Sequence, residues 1–336
     1  MKAVAYTQAG ALDRADALID IELKKPTLGP QDLLIKVAAI SVNPVDAKIR
    51  SKRPATVDEP QVIGWDAVGE VVAVGAKVQD FAVGDRVFYA GALDRPGSNA
   101  EYQLVDARIV GHAPESLSDA EAAALPLTAI TAWELLFDRL GVAEGGGAGQ
   151  TLLVIGAAGG VGSILVQLAR QLTELTVVGT AAREESAEWA KELGAHHVID
   201  HGKPMLAQLQ ALGIESVELI ASLTHTKDHY AQYIECIAPQ GKLGVIDDFD
   251  SIDITQLKSK SASFHWEFMF ARAMHKTSDM IEQHNLLTYV ANEIDAGRIR
   301  TTVSDVLSPI SAANMRKAHA MIETGSAKGK IVVEGF

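Results

Sequence analysis

A glycine-rich loop between an apolar run and an amphipathic run carries the strongest chemical signal in the sequence. Residues 152–169 read LLVIGAAGGVGSILVQLA. Small residues in such a turn allow the backbone to approach a pyrophosphate closely, and a helix that begins directly after it directs free N–H groups at the phosphates. A purely structural glycine turn is the alternative interpretation. We predict that six loop residues bind a dinucleotide: Ala157, Ala158, Gly159, Gly160, Val161 and Gly162.

The next apolar strand, which ends in TVVGTAAREES (176–186), indicates which dinucleotide is bound. An NAD site usually places a carboxylate roughly 20 residues past the glycines, where it binds the ribose hydroxyls. This chain has Ala181 near that position, after Thr180, and Arg183 two residues later. A guanidinium group without a carboxylate favours a 2′-phosphate, so we predict NADPH, with Thr180 and Arg183 at its ribose. Alternatively, Arg183 only begins a solvated helix.

Composition limits the class of protein. The 336 residues include 30 Lys and Arg and 43 Asp and Glu, which gives a net charge of −13. This acidic balance argues against nucleic acid or an anionic membrane as a partner, and 48% hydrophobic residues exclude global disorder. No apolar run approaches the ~18 residues of a spanning helix, and no signal peptide is recognised. Cys236 is the only cysteine, so we expect a cytoplasmic protein without disulfides.

The sequence pattern changes along the chain in a way that predicts an α/β fold. Short β-branched runs broken by glycines fill 63–88, which suits a small barrel or curled sheet. Between residues 152 and 257, strands and helices alternate, which predicts a doubly wound parallel sheet. Helices are then predicted over 278–297 and 311–324. The closing strand, KIVVEGF (330–336), is expected to return to the first domain.

Motifs spread along the whole chain share a resemblance to one known superfamily. They are SVNPVDAKIR (41–50), IGWDAVGEVVAVG (63–75), GDRV (84–87), LPLTAITAWELLF (125–137), the GAAGGVGS loop and LGAHHVID (193–200). With these motifs the sequence resembles the medium-chain dehydrogenase/reductase superfamily, in its quinone oxidoreductase-like branch. It is most similar to a bacterial subgroup labelled zinc-type alcohol dehydrogenase-like, which is a sequence classification and not an activity.

The resemblance implies a domain organisation and a site. A GroES-like, mostly-β catalytic domain would comprise 1–121 and 258–336, with a Rossmann domain inserted at 122–257 and a cofactor in the cleft between them. Residues 222–226 would follow a Rossmann strand near the cofactor, which assigns Leu223 and Thr224 to cofactor binding. A homodimer is expected from the family alone.

The resemblance also bears on metal binding. Zinc-dependent relatives have a Cys ligand where this chain has Asn43, and a His followed by Glu where it has Trp65–Asp66. A catalytic zinc ion needs three N, S or O side-chain ligands, and Trp supplies none. His225 and His229 have helical i, i+4 spacing, but no third ligand lies nearby in sequence. We therefore expect no metal.

A metal-free site is better matched to reducing an electrophile than to oxidising an alcohol, because zinc would otherwise stabilise the alkoxide. By resemblance, Asn43 and Asp46 line the cleft near the nicotinamide. Some quinone reductases have a Tyr where this chain has Lys48, which would polarise a substrate carbonyl or be an ordinary surface lysine. We predict Asn43, Asp46 and Lys48 as catalytic residues, with the proton donor unassigned.

The substrate pocket is predicted from aromatic residues and one carboxylate. Trp65 and Asp66 would form one wall, with ordinary core packing as the alternative for Trp65. The segment FHWEFMFARAMH (264–275) would place Trp266 and Phe268 in an apolar lid, although such a cluster is also typical of a core.

Three functions are consistent with these residues. The leading hypothesis is a zinc-free, NADPH-dependent reductase of quinones or α,β-unsaturated carbonyl compounds. The alternatives are a zinc-type alcohol or aldehyde dehydrogenase with unrecognised ligands, and an NADPH-binding sensor or binding protein without turnover. Fold analogy supports a reaction type and does not identify a substrate.

Overall fold

The computed structural model describes residues 1–325 and 327–336. They form two compact units: the first unit comprises Met1–Ile130 and Phe270–Phe336, and the second comprises Thr131–Met269. The sequence placed the divisions earlier, after residues 121 and 257. The second division lies later because a strand at Ser263–Trp266 continues the sheet of the second unit. The parallel sheet thus extends beyond residue 257, contrary to the prediction.

Strands account for most of the first unit and for the centre of the second. In the described part of the chain they are β1 (Lys2–Tyr6), β2 (Ile19–Glu22), β3 (Asp32–Val42), β4 (Gln61–Val62), β5 (Ala67–Val74), β6 (Arg86–Tyr89), β7 (Tyr102–Asp106), β8 (Val110–His112), β9 (Thr151–Ile155), β10 (Thr176–Thr180), β11 (His197–Ile199), β12 (Val217–Ser222), β13 (Ile237–Val245), β14 (Ser263–Trp266), β15 (Val303–Leu307) and β16 (Lys330–Glu334).

Helices connect these strands. The α-helices within the described ranges are α1 (Pro44–Lys52), α2 (Asp119–Ala123), α3 (Pro126–Trp133), α4 (Gly160–Leu172), α5 (Glu184–Glu192), α6 (Met205–Ala211), α7 (Thr226–Cys236), α8 (Ala271–His275), α9 (Glu282–Asp295) and α10 (Ala312–Glu323). A π-helical turn at Glu134–Arg139 follows α3, and 3₁₀ turns lie at Ala107–Ile109 and Ile254–Lys260.

Two sheets organise the described part of the first unit, and their strands pair antiparallel except for β15, which is parallel to β16. A small sheet has the order β2-β1-β4, and a larger one has the order β15-β16-β3-β5-β6-β8, with β7 also paired to β3. The register between β3 and β5 shifts twice, as expected for a curled sheet. Gly69 lies between these shifts, and a Cβ there would lie 2.3 Å from the carbonyl oxygen of Lys36. The predicted return of the terminal strand is confirmed, because β16 pairs with β3.

The second unit contains the predicted doubly wound parallel sheet. Its strand order is β11-β10-β9-β12-β13-β14, and every pairing is parallel. The chain proceeds from β9 outward to β10 and β11, and then crosses to β12 on the other side of β9. The carboxyl ends of β9 and β12 therefore form the topological switch point, where open α/β sheets bind ligands. Buried apolar residues such as Leu153, Ile220 and Leu243 form the core around these strands.

One helical stretch has the length and apolar composition of a membrane span, which the sequence prediction did not anticipate. Asp119–Arg139 has 21 residues, and its most apolar window has a mean hydropathy of 1.2. Because 83% of that window is buried inside the protein, the stretch has the burial of a core helix.

Gly179 in β10 provides a test of the packing beneath the glycine-rich loop. A Cβ at this position would lie 2.8 Å from the Cβ of Ala157. We expect Gly179→Ala to lower the free energy of unfolding by about 1–3 kcal/mol, because overpacking a rigid core forces the backbone to shift. Denaturant unfolding measures the change. Gly202→Ala is the matched control, since its new Cβ would meet only the carboxylate of Asp200, and equal losses in the two variants would contradict the packing argument.

Candidate active site

The glycine-rich loop lies at the carboxyl end of β9, in the centre of the parallel sheet. Gly156 adopts a φ of +82°, which favours glycine, and its N–H donates to Oγ1 of Thr180 at 3.1 Å. Gly159 is the N-cap of α4. The side chain of Ala157 is buried, whereas the residues from Ala158 to Val161 are partly exposed, so the surface of the loop consists largely of backbone.

Gly162 shows why the loop requires small residues. A Cβ on Gly162 would lie 2.3 Å from the carbonyl oxygen of Gly156 and 2.7 Å from Cα of Ala157. The first turn of α4 is therefore packed directly against the strand-to-helix turn. The first N–H groups of a helix have no acceptor within the helix, so this turn offers the donors that a phosphate or pyrophosphate would need. The loop fits a dinucleotide.

The two residues predicted at the ribose have different surroundings. Thr180 ends β10, is almost fully buried, and accepts the hydrogen bond from Gly156 through its hydroxyl oxygen. Thr180 thus holds the glycine-rich loop against the adjacent strand. Arg183 is exposed and is the N-cap residue of α5, although its side chain makes no capping hydrogen bond. Arg183 therefore begins α5 shortly after β10, and its binding of a 2′-phosphate stays a prediction.

A second loop at the same edge of the sheet contains Leu223 and Thr224, directly after β12. The Cγ2 atom of Thr224 lies 3.1 Å from the position of a Cβ on Gly156, so the two loops are close together. His225 ends this loop with a φ of +53°, a conformation that costs free energy for a residue other than glycine. The carboxylate of Asp247 accepts from the N–H of Thr226 at 3.0 Å and holds the loop at the start of α7.

A buried polar cluster lies in the first unit around the start of α1. The Lys330 ammonium group donates to Oδ1 of Asn43 at 2.5 Å and forms an ion pair with Oδ2 of Asp66 at 3.0 Å. The Asn43 amide donates to the same Asp66 oxygen at 2.9 Å, and the Ser41 hydroxyl donates to it at 2.8 Å. The N–H of Leu127 donates to the other Asp66 oxygen at 2.8 Å. Each charge in the cluster is therefore matched by a partner.

Asp46 adjoins this cluster from the first turn of α1. Its Oδ2 accepts a hydrogen bond from the N–H of Asn43 at 2.5 Å, and the side chain is buried. Burial raises the pKa of Asp46 to about 7, against the opposing effects of the Asn43 N–H and of the Lys330 ammonium group. The carboxyl group is therefore partly protonated at neutral pH.

Comparisons with known proteins agree with this combination of units. The model of the alcohol dehydrogenase GroES-like domain matches residues 29–115, and the model of the zinc-binding dehydrogenase family matches residues 193–333. A zinc-type alcohol dehydrogenase-like protein of Staphylococcus aureus strain Mu50 is 40% identical over 336 residues and covers 99% of each chain. The chain belongs to the medium-chain dehydrogenase/reductase superfamily.

Other members of the superfamily extend the comparison. The 2-methylene-furan-3-one reductase of Solanum lycopersicum and the chloroplastic NADPH-dependent alkenal/one oxidoreductase of Arabidopsis thaliana are each 30% identical over 342 residues, covering 99% of this chain and 79% of theirs. A Rhizobium etli protein, provisionally described as a zinc-dependent alcohol dehydrogenase, is 53% identical with a TM-score of 0.97, covering 100% and 98% of the two chains. Escherichia coli quinone oxidoreductase has the same fold at 21% identity, with a TM-score of 0.83 and 99% and 100% coverage.

The family names imply zinc, but the residues at the corresponding positions of this superfamily member do not fit it. The Asn43 carboxamide is fully engaged with Lys330 and Asp66, and both oxygens of Asp66 accept hydrogen bonds. Trp65 supplies no ligand atom, and its indole N–H donates to the carbonyl of Ala92 at 3.1 Å. Among the described residues, no group of three His, Cys, Asp or Glu side chains is arranged to hold a metal ion.

The residues predicted for the substrate pocket fall in different environments. Trp65 and Asp66 have no exposed surface, and the Trp65 ring packs edge-on against Phe270 in the first unit. Trp266 and Phe268 are about half exposed, at 53% and 49%. Trp266 belongs to the outermost strand β14 and stacks on Phe249 in the second unit. Lys48 is exposed on α1, one turn beyond the buried cluster.

Sequence reasoning missed two groups of buried charged residues. Lys330 is the first residue of an apolar strand, and a lysine at a strand end is usually exposed to solvent. The one signal in the sequence was Asp66, a carboxylate in an apolar segment that would need a cation as its partner. The second group is in the second unit: Arg139 donates to Glu267 at 2.8 Å and lies 3.9 Å from Glu134. Both glutamate side chains are fully buried.

The close approach of two buried carboxyl groups to one arginine favours a shared proton. Burial, reinforced by the charge of Glu134, raises the pKa of Glu267 to about 9, although Arg139 opposes the shift. The Glu267 carboxyl is therefore protonated at neutral pH in the folded protein and ionised in the unfolded chain. Between its ordinary value of 4.5 and about 9, the free energy of unfolding falls as the pH rises.

Glu267→Gln tests this assignment. Glutamine is neutral at every pH, so the variant loses this titration and we expect it to gain stability relative to the native protein as the pH rises. The difference grows by at most about 1.4 kcal/mol per pH unit within that window. Denaturant unfolding at pH values on both sides of neutrality measures it. Glu188→Gln, at an exposed position on α5, is the control; parallel pH dependences in all three proteins would refute the shared proton.

Proposed function

We propose that this oxidoreductase is a zinc-free, NADPH-dependent reductase that transfers hydride to a quinone or an α,β-unsaturated carbonyl compound. One observation carries the proposal. At the two positions where zinc-dependent relatives have a Cys and a His ligand, this chain has Asn43, whose carboxamide is bound to the ion pair of Lys330 and Asp66, and Trp65, which supplies no ligand atom. The chain therefore has the oxidoreductase fold, but the side-chain oxygen atoms that could bind a metal ion at this site are already bound to the ammonium group of Lys330.

The second unit would hold the cofactor. In this proposal the N–H groups at the start of α4 bind the pyrophosphate. The small residues Gly162 and Ala157 allow the backbone of the loop to approach the pyrophosphate closely enough for that contact. Arg183 recognises the 2′-phosphate, which its exposed position at the end of β10 supports. NADPH, once bound, supplies the hydride. Thr180 holds the loop in place through Gly156.

The substrate class follows from the chemistry of hydride acceptors. In metal-dependent alcohol dehydrogenases, zinc stabilises the alkoxide that forms when the alcohol is oxidised. An enone or quinone is already electrophilic, and the charge that develops on its oxygen is delocalised. The tomato and Arabidopsis relatives are named for the reduction of such activated alkenes, which supports the proposal.

The first unit would serve the substrate. We assign Lys48 as a donor to the substrate carbonyl, because it is an exposed cation on α1, two residues after Asp46. Asp46 holds a proton near neutral pH in this proposal. Asn43 has a positioning role in this proposal. Its side-chain amide donates hydrogen bonds to Asp66 and to the carbonyl of Trp65, so neither N–H group is left to donate to a substrate.

We also propose that the protein is a homodimer in which a second copy covers β14. The outermost strand of a sheet presents unpaired backbone groups to a partner. Here that strand carries the half-exposed Trp266, so a second copy would bury both polar and apolar surface. Sedimentation velocity of the native chain and of Trp266→Glu tests this arrangement; a native monomer would overturn it.

The decisive experiment measures NADPH oxidation with a panel of quinones and enones, with and without a strong chelator. We expect turnover that the chelator does not change. Turnover that the chelator abolishes, together with bound zinc in the purified protein, would establish the alcohol dehydrogenase alternative. Tight NADPH binding without oxidation by any acceptor in the panel would favour the sensor or binding protein instead.

Arg183→Ala tests the choice of cofactor. A hydrogen bond from a guanidinium group to a phosphate contributes about 1.5–3 kcal/mol. We therefore expect the ratio of kcat/KM for NADPH to that for NADH to fall about tenfold or more. Lys191→Ala removes another exposed cation from α5 and should leave the ratio unchanged. If Arg183→Ala and Lys191→Ala behave alike, Arg183 does not recognise the 2′-phosphate.

A further inference from the structure

Lys330 is a lysine in an unusual place. It begins β16, and only 2% of its surface is exposed. A buried ammonium group is costly unless partners accept its hydrogen bonds. Lys330 has three such partners: Oδ1 of Asn43 at 2.5 Å, the carbonyl oxygen of Val42 at 3.1 Å, and Oδ2 of Asp66 at 3.0 Å. These match the three donors of an ammonium group, so its position is fully determined.

The ammonium group also determines the orientation of Asn43. Because Lys330 can only donate, the side-chain atom of Asn43 that faces it must be the oxygen. The amide nitrogen then faces the other way, toward Asp66 and the carbonyl of Trp65, at 2.9 and 3.3 Å. An asparagine whose carboxamide is otherwise free to turn is thereby held in one orientation.

The effect of Lys330 extends to Asp46. Asn43 is the N-cap residue of α1, and its backbone N–H donates to Oδ2 of Asp46. The charged groups that face the Asp46 carboxyl are Lys330 and Asp66, and they act in opposite directions: the ammonium group favours the ionised form and the carboxylate opposes it. Lys330 thus acts on Asp46 both through the hydrogen bonds of Asn43 and through its charge.

We propose that Lys330 is a positioning residue of the reductase site, which fixes the carboxamide of Asn43 at the start of α1, beside the Asp46 carboxyl. This inference rests on the proposed function for its catalytic consequence. Asp66 is the counter-charge that allows the ammonium group to be buried. A lysine that merely joined β16 to α1 would affect stability, but it would leave the ionisation of Asp46 unchanged.

The experiment follows the Asp46 carboxyl directly, so it does not depend on turnover. The full chain is labelled with ¹³C-aspartate, the Asp46 resonance is assigned with Asp46→Asn, and its pH titration is recorded by NMR. We expect Lys330→Met to raise the pKa of Asp46 and Asp66→Asn to lower it, because the two variants remove opposite charges. Lys330→Arg keeps the cation and should restore a titration close to that of the native protein.

Activity supplies the second readout. In Lys330→Met we expect kcat to fall about tenfold or more with a smaller change in KM, because a misplaced group impairs the chemical step. The pH profile should move in the same direction as the NMR titration, and Lys330→Arg should recover activity. Lys260→Met is the matched control: its ammonium group binds the carbonyls of Ile234 and Ile237 in the second unit, so neither readout should move.

The outcomes separate the two proposals. An unchanged Asp46 titration in Lys330→Met overturns the positioning role, even if the native enzyme is active. A native protein without turnover overturns the proposed function, while the NMR titration still decides whether Lys330 controls Asp46. If Lys330→Met does not fold, Lys330→Gln decides: it removes the charge but keeps a hydrogen-bond donor for Asn43, so a raised Asp46 pKa supports the inference and an unchanged one overturns it.

Discussion

The buried ion pair between Lys330 and Asp66 is the interaction on which the rest of the first unit's site depends. Neither charge is stable alone in an apolar interior, and removing one partner of such a pair typically costs about 3–5 kcal/mol. The pair therefore fixes three elements at once: β16 through Lys330, the segment before β5 through Asp66, and the start of α1 through Asn43. The side chains that the proposed chemistry uses are carried by the helix that this pair anchors.

The same cluster reconciles the zinc-related names of the superfamily members with the chemistry of this chain. Names follow overall similarity, which depends on the fold, whereas a metal depends on a few ligand atoms. Here the fold is retained, but Trp65 packs as a core residue and Asn43 is bound to an ammonium group. In the second unit, by contrast, the residues that the family feature needs are present: Gly162 and Gly156 pack as closely as a dinucleotide loop requires. The packing of the glycine-rich loop is thus kept where the metal ligands are not.

Local features were predictable from the sequence, and long-range ones were not. The loop at Gly162 could be predicted because strand, turn and helix signals are adjacent in the chain. Lys330 could not be assigned, because its partner Asn43 is 287 residues away and a lysine at a strand end is ordinarily solvated. β14 was missed because it follows β13 without an intervening α-helix, so the usual alternation was absent. Glu267 reads as a surface residue until the π-helical turn places Glu134 beside it.

The first unit consists of two segments that lie far apart in the sequence, and this has a consequence for how the protein is synthesised. Synthesis proceeds from the N-terminus, and domains generally fold as units as they emerge. Residues 131–269 form a contiguous unit that can fold while the ribosome is still at work. Asn43 and Asp66, by contrast, must wait for residue 330 before their charges are matched. A nascent chain therefore carries the whole parallel sheet before the ammonium partner of Asn43 and Asp66 exists, so interrupted synthesis would leave the glycine-rich loop in place and the charge of Asp66 unmatched.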